Sequence, residues 1–309
     1  MITENRYFTH FYIEISGRCN AKCLYCCTGS GNHRVNKAFM TASEFEEIVD
    51  RLFALNFIAE GDIIALYNWG EPLLNPDFDE ILQILGRKKL SASLSSNFIK
   101  DFSISEDSYK YIHNVVFSIC SLEKENYKRI YGTDVTKTLQ NFDKFLENKN
   151  KYNPQIDVAV KWLRYTFNEG EEEPVIEYFG KRNVTVYPNI YAYMNDGDAF
   201  CSYLSSGKMN GYDLEQVKKD LCFERIEYIL DNYAKKDFPC EFKNRLMINE
   251  SGQLSLCCTV TARNAEYNMG DIRKLDAEEI YQLIHNAKFC KVCESVKLPH
   301  FYRIYNQEV

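Results

Sequence analysis

Six short apolar or alternating segments, at residues 7–15, 63–66, 91–96, 115–120, 156–165 and 184–187, are separated by stretches with helical periodicity. Such alternation leaves a chain few choices. Successive strands joined by crossover helices lie parallel in one sheet, and the helices cover it. Helical stretches fall at residues 77–85, 138–146 and 172–179. Another is opened by Thr41 and Glu44, a capping-box pair, ahead of Phe45, Ile48, Val49 and Leu52 at helical spacing. The expectation is an α/β fold. The first segment runs directly into a loop holding Cys19, Cys23 and Cys26. In α/β barrels the loops at the C-terminal strand ends carry the chemistry.

Three thiolates at C-x3-C-x2-C spacing can hold three irons of a cubic 4Fe–4S cluster and leave the fourth iron open. A structural zinc would want a closed set of four ligands, usually in paired units, and the adjacent Cys27 does not make one. A disulfide knot belongs to secreted proteins. Here the first residues lack the charged-then-apolar plan of a signal peptide. Twelve cysteines in a reducing compartment point to metal ligation. No segment reaches the ~20 apolar residues of a membrane span. A net charge of −7 argues against a broad nucleic-acid surface. The expected location is cytoplasmic.

With Tyr25 before the third cysteine, the loop resembles that of the radical S-adenosylmethionine (SAM) superfamily. The resemblance implies a partial, six-stranded (β/α) barrel, a 4Fe–4S cluster whose open iron chelates SAM, and a 5′-deoxyadenosyl radical. Asn68-Trp69-Gly70-Glu71-Pro72 is similar to that family's GGEP motif, with Trp69 in place of the first glycine. Ser96 and Asn97 at the third strand end, and Ser118 on the fourth, match positions that contact SAM in relatives. Two departures stand out: Cys120 replaces an aspartate and Tyr131 an arginine. Arg164 is then the candidate cation for the SAM carboxylate, with a plain surface arginine as the alternative. Alternation from Ser118 would also aim Cys120 into the barrel, where a thiol could donate a hydrogen atom; core packing is the favoured reading of it. Cys27, Cys201 and Cys222 read as small buried hydrophobes. His33 and His300 have no partner visible in sequence.

A second constellation lies near the C-terminus: Cys240, then Gly252 followed by Cys257, then Cys290 and Cys293. It resembles the auxiliary-cluster domain called SPASM in its short form, twitch, which implies a second 4Fe–4S cluster. Four-cysteine zinc stays open, as does Cys258 in place of Cys257. The implied organisation is a radical SAM barrel over residues 1–191, a linker or insertion over 192–238, and the auxiliary domain over 239–309. A β-hairpin is expected around Glu250-Ser251-Gly252, and a helix over residues 276–286.

The chain is similar in plan to 2-deoxy-scyllo-inosamine dehydrogenase, a short-form member. That implies oxidation of a small polyol, helped by the auxiliary cluster and fed by an electron donor such as flavodoxin or ferredoxin. Epimerisation and peptide modification are the alternatives. The short run before Cys19, with no room for a leader-recognition domain, favours a small molecule. A non-enzymatic iron–sulfur protein would not need the polar strand ends.

Overall fold

A computed structural model describes residues 7–31, 37–233, 240–262, 264–299 and 301. His33 and His300 lie outside the described residues. Six strands follow in chain order: β1 His10–Ile13, β2 Ile63–Ala65, β3 Ser91–Ser96, β4 Ile112–Ile119, β5 Asp157–Arg164 and β6 Thr185–Tyr191. Each pairs in parallel with its predecessor. This is the α/β architecture expected from the alternation.

The connecting helices include α1 Ala42–Ala54, α2 Phe78–Arg87, α3 Lys124–Tyr131, α4 Val135–Tyr152 and α5 Glu172–Gly180. In α1, Thr41 and Glu44 form the anticipated capping box, and Phe45, Ile48, Val49 and Leu52 are buried. Between β3 and β4 the connection is only a 3-10 turn, Glu106–Tyr111. The core between sheet and helices is aromatic. Phe117 of β4 stacks on Phe142 of α4 at 4.5 Å, and Phe98 meets Phe117 edge-on at 5.5 Å.

Residues 192–233, expected as a linker or insertion, are largely helical. Asn195 to Asp198 open a helix, α6 Gly197–Ser206, whose N-cap Asp196 accepts from the Ala199 amide. The helix ends at Gly207, at φ +71°. Two further helices follow, α7 Leu214–Asp220 and α8 Phe223–Tyr233.

The C-terminal hairpin falls as expected, β7 Arg245–Ile248 turning at Gly252 into β8 Gln253–Ser255. A third strand, β9 Asn268–Asp271, pairs with β8. The hairpin is not a separate sheet. β7 adds in parallel to β1, giving the order β6-β5-β4-β3-β2-β1-β7-β8-β9. Helices α9 Ala277–His285 and α10 Lys288–Ser295 close the chain. The Asp276 capping box begins α9, and α10 carries Cys290 and Cys293. Among the described residues no helix is long and apolar enough to cross a membrane.

Candidate functional site

The cysteine loop after β1 is held by close backbone packing. A Cβ on Gly29 would lie 2.5 Å from the Cys23 nitrogen, so the loop folds over its middle cysteine only because residue 29 is glycine. The end of β2 approaches the same loop. A Cβ on Gly70 would lie 1.8 Å from the Ser16 carbonyl oxygen. The Glu71 amide donates to Arg18 O at 2.8 Å. Glu14, buried on the continuation of β1, accepts from the amides of Trp69 at 2.8 Å and Gly70 at 2.6 Å.

Glu71 organises the strand ends. Its carboxylate accepts from Leu73 N at 3.1 Å, Ser96 Oγ at 2.8 Å and Asn97 N at 2.8 Å. Burial raises its pKa to about 7, against the lowering pull of these three donors. Asn97 in turn points Nδ2 at Cys19 Sγ, 3.5 Å, and at Asn20 Oδ1, 3.0 Å. The next residue, Phe98, is buried at φ +52°, a left-handed conformation a phenyl side chain rarely takes. Asn141 from α4 holds it there, donating to Phe98 O at 2.9 Å. The strained turn is what presents Asn97 to the cysteines.

These elements enclose a cavity of about 400 Å³. Cys19, Cys23, Cys26, Tyr25, Trp69, Gly70, Glu71, Ser96, Asn97 and Ser118 all line it. Lys161, Tyr193, Asn195, Arg245, Cys258 and Thr259 also contribute to the wall. Two buried donors there, Trp69 Nε1 and the Tyr131 hydroxyl, have no partner among the described residues. Both suit a polar ligand that brings acceptors. Burial, with Glu71 adding, pushes the Cys19 thiol up to about 12, and Cys23 is raised as well. A bound metal's positive charge is what would hold such groups as thiolates. The donor set fits an iron–sulfur cluster with a polar co-ligand.

Two sequence expectations need correction. Arg164 faces away from the cavity. Alternation along β5 puts Lys161 and Leu163 on the cavity side, while Arg164 lies on the other face and pairs with Glu172 at the start of α5. The cations on the wall are instead Lys161 and Arg245. Cys120 does not face the cavity either. β4 stops at Ile119, so alternation from Ser118 no longer governs the next residue. Cys120 is fully buried, its Sγ 3.9 Å from Asn126 O, and its carbonyl accepts from Trp162 Nε1 at 2.7 Å. It is a core residue. Cys27, Cys201 and Cys222 are buried as expected.

Tyr25 belongs to the cavity wall and to a network that sequence reading missed. Its hydroxyl donates to Asp220 Oδ2 at 2.5 Å, and Asp220, fully buried at the end of α7, also pairs with Arg129. No spacing rule joins positions so far apart in sequence.

The second cysteine set gathers on its own pocket. Cys240, Cys257, Cys290 and Cys293 line one small void with Phe289 and Thr259. Cys258 points elsewhere, onto the wall of the main cavity. Burial pushes Cys240 to about 11 and Cys290 to about 12, whereas a hydrogen bond from Cys258 draws Cys257 down. Phe242 and Thr259 line both voids, so the pocket adjoins the main cavity. Among the described residues no three His, Cys, Asp or Glu side chains converge on a single ion position. A cube is held at its corners and asks only that each thiol face a shared space.

Comparison with known proteins follows the same lines. Residues 13–152 match the family model of the radical SAM superfamily. GTP 3′,8-cyclase of Synechocystis sp. is 22% identical, over 89% of this chain and 86% of the relative. Among solved structures, anSMEcpe with bound AdoMet and a Cp18Cys peptide superposes with a TM-score of 0.55 at 15% identity, covering 94% of this chain and 87% of that one. BtrN in complex with AdoMet and 2-DOIA gives a TM-score of 0.54 at 14% identity, with 96% and 89% covered. Over residues 13–152, which carry the three-cysteine loop, the chain is thus similar to the radical SAM superfamily, and the two solved structures share its fold.

Proposed function

We propose that this radical SAM enzyme is an oxidoreductase that removes two electrons from a small polyol, a sugar or cyclitol. One observation carries the reading: two cysteine sets open onto adjoining voids that share Phe242 and Thr259. Cys19, Cys23 and Cys26 would hold the cluster that binds SAM. Cys240, Cys257, Cys290 and Cys293 would hold a second 4Fe–4S cluster, within a twitch-like segment spanning residues 239–309. When bound, these groups would supply one-electron cleavage of SAM, removal of a hydrogen atom from an unactivated carbon, and uptake of the electron left behind.

The chain's own residues bind and orient. Gly70 permits the β2 end to reach the cysteine loop, and Glu71 fixes that end to Ser96 and Asn97. Trp69 Nε1 and the Tyr131 hydroxyl are free to donate to SAM. Ser118 lines the cavity beside Ser95, their hydroxyls 3.5 Å apart, and Lys161 is its register partner on β5. Lys161 therefore takes the role expected of Arg164, answering the SAM carboxylate. The cavity volume suits a small molecule. An electron donor such as flavodoxin or ferredoxin, and a cytoplasmic location, complete the proposal.

A second reading has its own support: the curated relative is named for a reaction of GTP, which would make the substrate a purine nucleotide. One experiment separates the two. Anaerobically reduced protein is given SAM with a panel of sugars and cyclitols, or with GTP, and 5′-deoxyadenosine and substrate products are measured. A new carbonyl on a polyol supports the first reading, and conversion of GTP alone replaces it. Cys240→Ala should keep SAM cleavage while net oxidation stops. A polyol product that instead gains deuterium from heavy water would indicate epimerisation.

A further inference from the structure

The cavity wall carries two cations that no lining carboxylate pairs. Lys161 and Arg245 both line it, and neither has a carboxylate partner among the described residues. Glu71 is the one carboxylate among the lining residues, and it is committed to Leu73, Ser96 and Asn97. Around Arg245 stand His10, Tyr12, Tyr67, Cys257 and Cys258, none of them a carboxylate. Its guanidinium packs over the Phe242 ring at 4.4 Å and has Cys258 Sγ 4.0 Å away. The stacked ring fixes the plane of the fork and leaves its edge for a planar or tetrahedral acid. Burial lowers the pKa of Lys161, and no nearby acid offsets it.

Leaving two cations unpaired in a half-buried cavity is costly unless anions arrive. SAM brings one carboxylate. Lys161, level with Ser118, is placed for it. Arg245 then still has sulfur neighbours but no carboxylate or phosphate to pair with its fork. Arg245 sits at the start of β7, and the same Phe242 that it stacks on lines the four-cysteine pocket. From this count we propose that the substrate itself carries an acidic group, a carboxylate or a phosphate, and that Arg245 binds it and thereby sets specificity. The proposal rests on the small-molecule reading above and narrows it from polyols in general to acidic ones, such as sugar acids or sugar phosphates.

The test uses the reconstituted protein with SAM bound and reads binding by calorimetry, so it does not depend on turnover. Glucose, glucuronate and glucose 6-phosphate are the probes; the last two separate carboxylate from phosphate. At least one charged probe should bind tenfold or more tightly than glucose. Arg245→Gln should remove that preference, and Arg245→Lys should restore part of it. Lys161→Met should weaken SAM binding instead. Iron content of the Arg245→Lys protein reports whether the fold and cluster loops survive. Equal affinity for glucose and the charged sugars, no detectable binding of either charged sugar, or full charged-probe affinity in Arg245→Gln would each overturn the proposal. So would Lys161→Met with unaltered SAM affinity. If charged probes bind as expected but no polyol is oxidised, the acidic-group proposal stands and the oxidation reading fails.

Discussion

Gly70 and Glu71, adjacent in the chain, do different work. Gly70 is a matter of space: any side chain there collides with the Ser16 carbonyl. Gly70→Ala should cost about 1–3 kcal/mol through overpacking and weaken SAM binding, read by denaturation and by equilibrium dialysis. Unchanged SAM affinity would show that the β2 end need not touch the loop. Glu71 is a matter of charge. Its folded pKa, about 7, lies above the ordinary carboxyl value of 4.5. Between those values the folded chain keeps a proton that the unfolded chain has released. The stabilisation is therefore fully present below pH 4.5 and fades as pH rises through 7. Glu71→Gln cannot titrate, so the stability difference between parent and variant should shrink from pH 5 to pH 8. A difference that grows with pH would reverse the sign. The three cysteines were readable from their spacing, and Glu71 and Asn97 from the resemblance of their surroundings to radical SAM motifs. Lys161 and Arg245 were not, because which face a strand residue takes and what it lacks as a partner are tertiary facts.

At the scale of elements, the segment after β6 does more than connect. Asn195 N donates to Tyr25 O at 3.1 Å in the first cysteine loop, and Gly197 N donates to Thr259 O at 2.7 Å beside the second set. Helix α7 contributes Asp220, which ties Tyr25 and Arg129 together. Asp220 is buried while Arg129 keeps access to water, so removing the acid leaves a cation that can hydrate. Asp220→Ala should destabilise by about 2 kcal/mol, and Asp220→Asn, which keeps the bond to Tyr25, by less. Urea unfolding of both variants checks this, and equal losses would mean that the Tyr25 bond contributes nothing. Strands and amphipathic helices were legible here because apolar periodicity marks them. Helices α3 and α7 are short and rich in charge and leave no apolar period to read, and α6 opens at Asn195-Asp196-Gly197, residues that serve a turn as readily as a helix cap. The placement of β7 beside β1 could not be read at all. It joins strands more than two hundred residues apart, and nothing local records the pairing.

Across the whole molecule, one continuous sheet brings the two cysteine sets to neighbouring voids. β1 delivers the first set, and β7, hydrogen-bonded to it, carries the chain into the second. The account stands on both sets holding four-iron clusters. The direct measurement is iron, sulfide and zinc content after anaerobic reconstitution. The parent chain should hold about eight irons and about eight sulfides, and both Cys19/Cys23/Cys26→Ala and Cys240/Cys290/Cys293→Ala should keep about half. About four irons in the parent, with zinc retained by the C-terminal cysteines, would contradict it.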